Sequence, residues 1–122
     1  MSRTTIKDYE EITEVLKRYV DGMAAGKSEM MKPSFHKNAT MYGYVQGVGL
    51  IEGSIENLYS ITDKGGPDPN RQARIDILSV VETAAAARIV IENARGATYT
   101  DFHHLLKIDG EWKIISKIFH QH

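Results

Sequence analysis

The segment 99–122, YTDFHHLLKIDGEWKIISKIFHQH, holds four of the five histidines and decides how the chain is read. Asp109 and Gly110 divide it into two runs of alternating character, and Asp-Gly between apolar runs is a hairpin signal. The even positions are Phe102, His104, Leu106 and Ile108 on the first run, and Trp112, Ile114, Ser116, Ile118 and His120 on the second. The odd positions are Asp101, His103, Lys107, Lys113 and Lys117, interrupted by Leu105, Ile115 and Phe119. Successive strand side chains point to opposite faces. The more apolar even set is therefore expected in the core, provided the turn keeps even opposite even. That puts His104 and His120 inward and His103 outward, an assignment that a single bulge inverts. Leu105, Ile115 and Phe119 would then form an apolar patch outside the sheet. Such patches mark interfaces, and a homodimer through this face is the expectation, against the plainer reading of scattered surface hydrophobics.

Working back from the hairpin, a period of two also runs through 72–82 and 86–94, after the loop DKGGPDPN (63–70). Before that loop the period is helical. Ile6, Tyr9, Ile12, Leu16, Tyr19, Val20 and Met23 share one helix face, opposite Lys7, Glu11, Glu14 and Lys17. Thr5 with Asp8 suits the helix start, and Gly22 and Gly26 suit its end. Ser28 opens a short second helix that Pro33 stops. TMYGYVQG (40–47) reads as a short strand in which Gly43 marks a bulge or a close backbone approach. Ser54 caps a third helix with Ile55, Leu58 and Ile61 on one face. Helices followed by consecutive antiparallel strands predict an α+β fold, with a curved sheet packing its apolar face on the helices.

The whole chain, 1–122, is expected to form one domain. Its formal charge of −1 supplies no field for nucleic acid or anionic lipid, so neither is expected as a partner. There is no cysteine, which excludes disulfide and thiolate chemistry. The N-terminal stretch lacks the apolar core of a signal peptide and no apolar run could span a bilayer, so a cytoplasmic location is expected.

A long first helix, a short second one running into FHKNATMY (35–42), a third helix, and strands ending in LLKIDGEWKIISKIFH (105–120) resemble the nuclear transport factor 2-like superfamily. The wording of the terminal hairpin is most similar to the lumazine-binding and polyketide-cyclase-like small proteins. The resemblance covers almost the whole chain. It implies a cone: a strongly curved antiparallel sheet wrapped around three N-terminal helices, with a pocket at the open end, and often a dimer through the outer sheet face. Ketosteroid isomerases, dehydratases, cyclases, epoxide hydrolases and non-catalytic domains all use this cone, so function must come from the site.

With the even face inward, the cone pocket would be lined by Tyr19, Phe35, Leu58, Phe102, Ser116, Ile118 and His120. His36 and His104 are the candidate acid–base pair, because imidazole titrates near neutral pH, and Tyr42 would polarise a carbonyl or phenolic oxygen. A filled core with hydrogen-bonded histidines is the competing reading. The isomerases and dehydratases rely on an inward carboxylate or a His–Asp pair. Asp101 is expected outside, beside Lys117, in a contact worth at most about 1 kcal/mol, and Glu52 and Asp76 have no pattern that singles them out. His120 and His122 could share a metal only with a third ligand, so no metal is expected. KGGPDPN lacks the lysine of a phosphate loop, and no cofactor is expected. Arg88 and Arg95 could hold an anion or be solvated edge charges. Three functions remain open: a binder of a small apolar or aromatic molecule; a cofactor-independent isomerase, dehydratase or cyclase; and a structural homodimer.

Overall fold

The structure, a computed structural model, describes residues 4–122. The helical elements are α1 (Ile6–Ala25), α2 (Ser28–Met31) with a 3-10 turn at Lys32–Ser34, and α3 (Glu56–Gly65). The strands are β1 (Phe35–Val45), β2 (Gly49–Ile51), β3 (Gln72–Val81), β4 (Ala84–Ala94), β5 (Ala97–Ile108) and β6 (Glu111–Gln121). They form one sheet in the order β2-β1-β6-β5-β4-β3. All neighbours are antiparallel except β1 and β6, which run parallel, so the expected antiparallel sheet is mixed at this one seam.

α1 begins where its residues require it to. The Thr5 hydroxyl accepts from the Asp8 backbone N–H at 3.3 Å and the Asp8 carboxylate accepts from the Thr5 N–H at 2.9 Å, a reciprocal capping box. The Asp8 carboxylate also accepts from Lys107 Nζ at 3.0 Å and Trp112 Nε1 at 3.1 Å, which ties the helix start to the terminal hairpin. The Thr5 backbone bond, then Lys107 and Trp112, hold its carboxyl well below the usual range. At the other end Gly26 takes the left-handed conformation, with φ of 68°. Ile12, Val15, Leu16 and Tyr19 are buried against the sheet, whereas Ile6 and Tyr9, expected on the same face, are exposed at the first turns.

The core lies between the helices and the concave side of the sheet, where Met31, Phe35, Met41, Ile55, Leu58, Ile89, Leu105, Trp112 and Ile114 are buried. Leu105 is thus a core residue and not part of an outer patch. The inversion has two causes. Asp109 and Gly110 both have positive φ, 51° and 79°, and make a two-residue turn that pairs Ile108 with Glu111 and Lys107 with Trp112. A two-residue turn sets odd opposite even, so Leu105 faces Ile114. Beyond that pair the register shifts and His104 faces Ser116, which leaves Ile115 as the extra residue of a bulge. β5 therefore presents its odd residues inward throughout, while β6 presents Trp112 and Ile114 before the bulge and Lys117 and Phe119 after it.

Candidate functional site

The inner face of the sheet and the helices enclose a cavity of about 420 Å³. This lies within the range of small-molecule sites. Met23 of α1, Leu58, Ile61 and Thr62 of α3, the 65–71 loop, the β4–β5 turn at Arg95 and the β1–β2 turn at Val48 surround it. Its deep wall is made by Tyr19, Met41, Ile91, Asp101, Lys117 and Phe119. Most of the lining is apolar, and the polar groups at depth come from three elements: α1 supplies Tyr19, β5 supplies Asp101, and β6 supplies Lys117.

Asp101 is 1% exposed and Lys117 is 5% exposed, so both charges are drawn into the protein. The Tyr19 hydroxyl donates to Asp101 Oδ2 at 2.7 Å, and His103 Nε2 lies 3.3 Å from the same oxygen. Burial by itself would raise the Asp101 pKa. The Lys117 charge and the bonds from His103 and Tyr19 outweigh it, so the carboxyl lies below its ordinary value and is ionised at neutral pH. Burial pushes the Tyr19 phenol well up, with the Asp101 charge adding to it, and Tyr19 stays a donor.

His103 is fully buried and packs on the Tyr19 ring at 5.0 Å, behind the cavity wall. Burial lowers its pKa against the pull of Asp101, which keeps the ring neutral. A neutral ring that donates from Nε2 to Asp101 has no proton on Nδ1, and Nδ1 is buried without a partner among the described residues. His103 contacts Asp101 from behind and does not line the cavity.

Lys117 Nζ lies 3.6 Å from the Met41 sulfur, 4.2 Å from the Phe119 ring centroid and 5.8 Å from that of Tyr19. Burial lowers its pKa, Asp101 opposes that shift, and the charge of Arg71 adds to it. Arg71 is itself paired with Asp68 at 3.1 Å on the cavity rim. Arg95 donates to the carbonyl oxygens of Gly65 and Gly66, joining the β4–β5 turn to the end of α3.

The residues expected to form the site divide cleanly. Tyr19 and Leu58 line the cavity. Phe35 is buried in the core beside Tyr19, with ring centroids 5.9 Å apart. Phe102, His104, Ile118 and His120 lie on the outer face with Ser116 and Tyr42, because the bulge and the two-residue turn reverse the expected alternation. His104 Nδ1 is 3.3 Å from Ser116 Oγ there, and His36 Nδ1 accepts from the Asn38 N–H at 3.0 Å. His36, His104 and Tyr42 are therefore not brought together around a cavity. Glu52 is exposed, and Asp76 pairs with Arg74 at 3.0 Å and with Arg88 at 3.5 Å. His120 and His122 stack edge to face at 5.0 Å, and among the described residues no third metal ligand joins them. No described helix is long and apolar enough to cross a membrane.

A six-stranded sheet packed on three helices, with a carboxylate, a phenol and an amine on the wall of an apolar cavity, is the architecture of a nuclear transport factor 2-like domain. More narrowly, the chain belongs to the family described as "Putative lumazine-binding", whose model matches residues 7–120. It is 35% identical over 119 residues to "Aldolase FrzH" of Cladobotryum sp, covering 97% of this chain and 94% of that protein. Among solved structures it is similar to an NTF2-like protein of unknown function from Shewanella baltica OS155, with 37% identity, a TM-score of 0.91 and coverage of 99% and 98% of the two chains. A second, from Methylobacillus flagellatus KT, has 40% identity, a TM-score of 0.90 and coverage of 98% and 95%.

Proposed function

We propose that this protein is a cofactor-independent enzyme that removes a proton beside the carbonyl group of a small, largely apolar molecule. That step is common to isomerisation, dehydration and aldol-type bond formation. The observation that carries the reading is Asp101: a carboxyl group, 1% exposed, on the wall of an apolar cavity and held by Tyr19 and His103. A general base must be charged, oriented and shielded from bulk water, and these contacts supply all three conditions. Tyr19 gives its one proton to Asp101, and Lys117 is the cavity group that can act on the carbonyl itself. A relative is named an aldolase, and aldol chemistry acts beside a carbonyl, which supports this reading over simple binding.

Deuterium exchange tests it. 2-Tetralone and cyclohexanone in D2O, followed by proton NMR, should lose α-protons faster with the protein present. Asp101→Asn should reduce that acceleration by about 100-fold or more, the usual contribution of a positioned base. Binding of the ketones with no acceleration by the wild-type protein would instead make the cavity a binding site without turnover.

A second copy of the chain is the proposed partner, though not through the residues first expected. Leu105 is in the core and Phe119 packs against the core and lines the cavity. The support now comes from Tyr42, Ile118 and Phe102, which form one exposed apolar row across β1, β6 and β5 on the outer face.

A further inference from the structure

We propose that Lys117 is a nucleophile: its Nζ adds to the carbonyl carbon of an aldehyde or ketone in the cavity and forms a protonated imine with it. This deepens the carbonyl reading above and rests on it. Three observations converge. The amine is on the cavity wall, within the same enclosure as Asp101, so a bound carbonyl can meet both groups. Its surroundings are Met41 sulfur and the rings of Phe119 and Tyr19; among the described residues no carboxylate oxygen caps it, and its lone pair is free once the proton leaves. It is 5% exposed, whereas Lys107 and Lys113 of the same hairpin are tied to Asp8 and Glu111 nearer solvent.

Buried amines lose their protons more readily than solvated ones, because the charge is no longer hydrated. The charged and titratable groups around Lys117 act in both directions. Asp101 on β5 favours the ammonium, Arg71 ahead of β3 opposes it, and Tyr19 and Tyr99, both raised by burial, remain neutral. The net direction for Lys117 is downward.

In the addition, a water in the cavity relays the ammonium proton to Asp101, which is not in direct contact with Nζ, and the nitrogen lone pair forms the C–N bond. The C=O π pair moves to oxygen, which accepts the proton back from Asp101. The adduct at this point still carries the original second and third nitrogen protons. One of these then passes through Asp101 to the new hydroxyl, which departs as water while the remaining lone pair on nitrogen makes the C=N bond. The overall change is ammonium plus carbonyl going to protonated imine plus water, with no oxidant or reductant. Positive charge on that nitrogen acidifies the neighbouring C–H, and ionised Asp101 is in the same cavity to take the proton. Water hydrolyses the imine to release product.

The test is reductive trapping of the wild-type protein with 2-tetralone or cyclohexanone and sodium cyanoborohydride, followed by peptide mapping. A single secondary-amine adduct at Lys117, with Lys107 and Lys113 unmodified, is the expected result. Lys117→Arg keeps the cation but cannot form an imine; it should give no adduct and lose most of the exchange acceleration. Absence of an adduct at Lys117, equal labelling of surface lysines, or undiminished exchange by Lys117→Arg would overturn the proposal. The two readings fail separately. Loss of exchange in Asp101→Asn with no adduct at Lys117 overturns the imine alone, whereas trapping at Lys117 with exchange intact in Asp101→Asn supports the imine and removes the base.

Discussion

Lys117 and Asp101 sit on adjacent strands, and their environment changes what each is. On a solvated face they would be an ordinary pair of weak consequence; under an apolar roof they are a base and an amine of altered acidity. The stability of the protein should register this. The folded lysine binds its proton less tightly than the unfolded one, so between its lowered pKa and the ordinary lysine value the unfolded chain carries more protons. Raising the pH through that window therefore favours the folded state. Chemical denaturation of wild type and Lys117→Met from pH 7 to 10 should show their stability difference moving in favour of wild type as pH rises. A flat difference would mean that Lys117 is solvated. At this scale the sequence was least legible. Asp101, Lys117 and His103 were all expected outside, and a face cannot be read from alternation when the register shifts within the strand. One signal was available: Ile114 and Ile115 are consecutive apolar residues that interrupt the alternation, as a bulge produces.

Most of the elements were legible because their signals are local, though β2 and the start of β1 at Phe35 were not. Thr5, Asp8 and Gly26 mark both ends of α1 through caps that depend only on neighbouring residues. Asp109-Gly110 located the hairpin, but its two-residue length also sets odd against even, and that consequence decides the face. Gly43 was legible as a bulge or a close approach, and β1 and β6 meet there. It pairs with Phe119, and a Cβ at this position would lie 2.4 Å from the Phe119 ring. Gly43→Ala must displace that ring toward the cavity or separate the parallel strands. It should cost about 1–3 kcal/mol in urea denaturation, and it should weaken ketone binding through the shift of Phe119. Unchanged stability would mean that the ring has room to move.

At the scale of the whole molecule, the turn and the bulge exchange the roles of the two sheet faces. The inner face gains the polar cluster that carbonyl chemistry needs, and the outer face receives Tyr42, Phe102 and Ile118 together with His104 and His120. The packing of a sheet on helices was visible in the order of the elements, and the cone followed from the family resemblance; its contents were not visible, because they depend on register over the last hairpin. Sedimentation should find a dimer at micromolar concentration, and Ile118→Glu should shift it to monomer without changing the fold. A wild-type monomer would remove the second copy from the outer face. The central claim is that the inner face carries the chemistry. Its most direct test is α-proton exchange of 2-tetralone by Asp101→Asn and His104→Ala side by side. Loss of at least about 100-fold in Asp101→Asn, with His104→Ala at the wild-type rate, is the expected result; loss in His104→Ala with Asp101→Asn unaffected would contradict it.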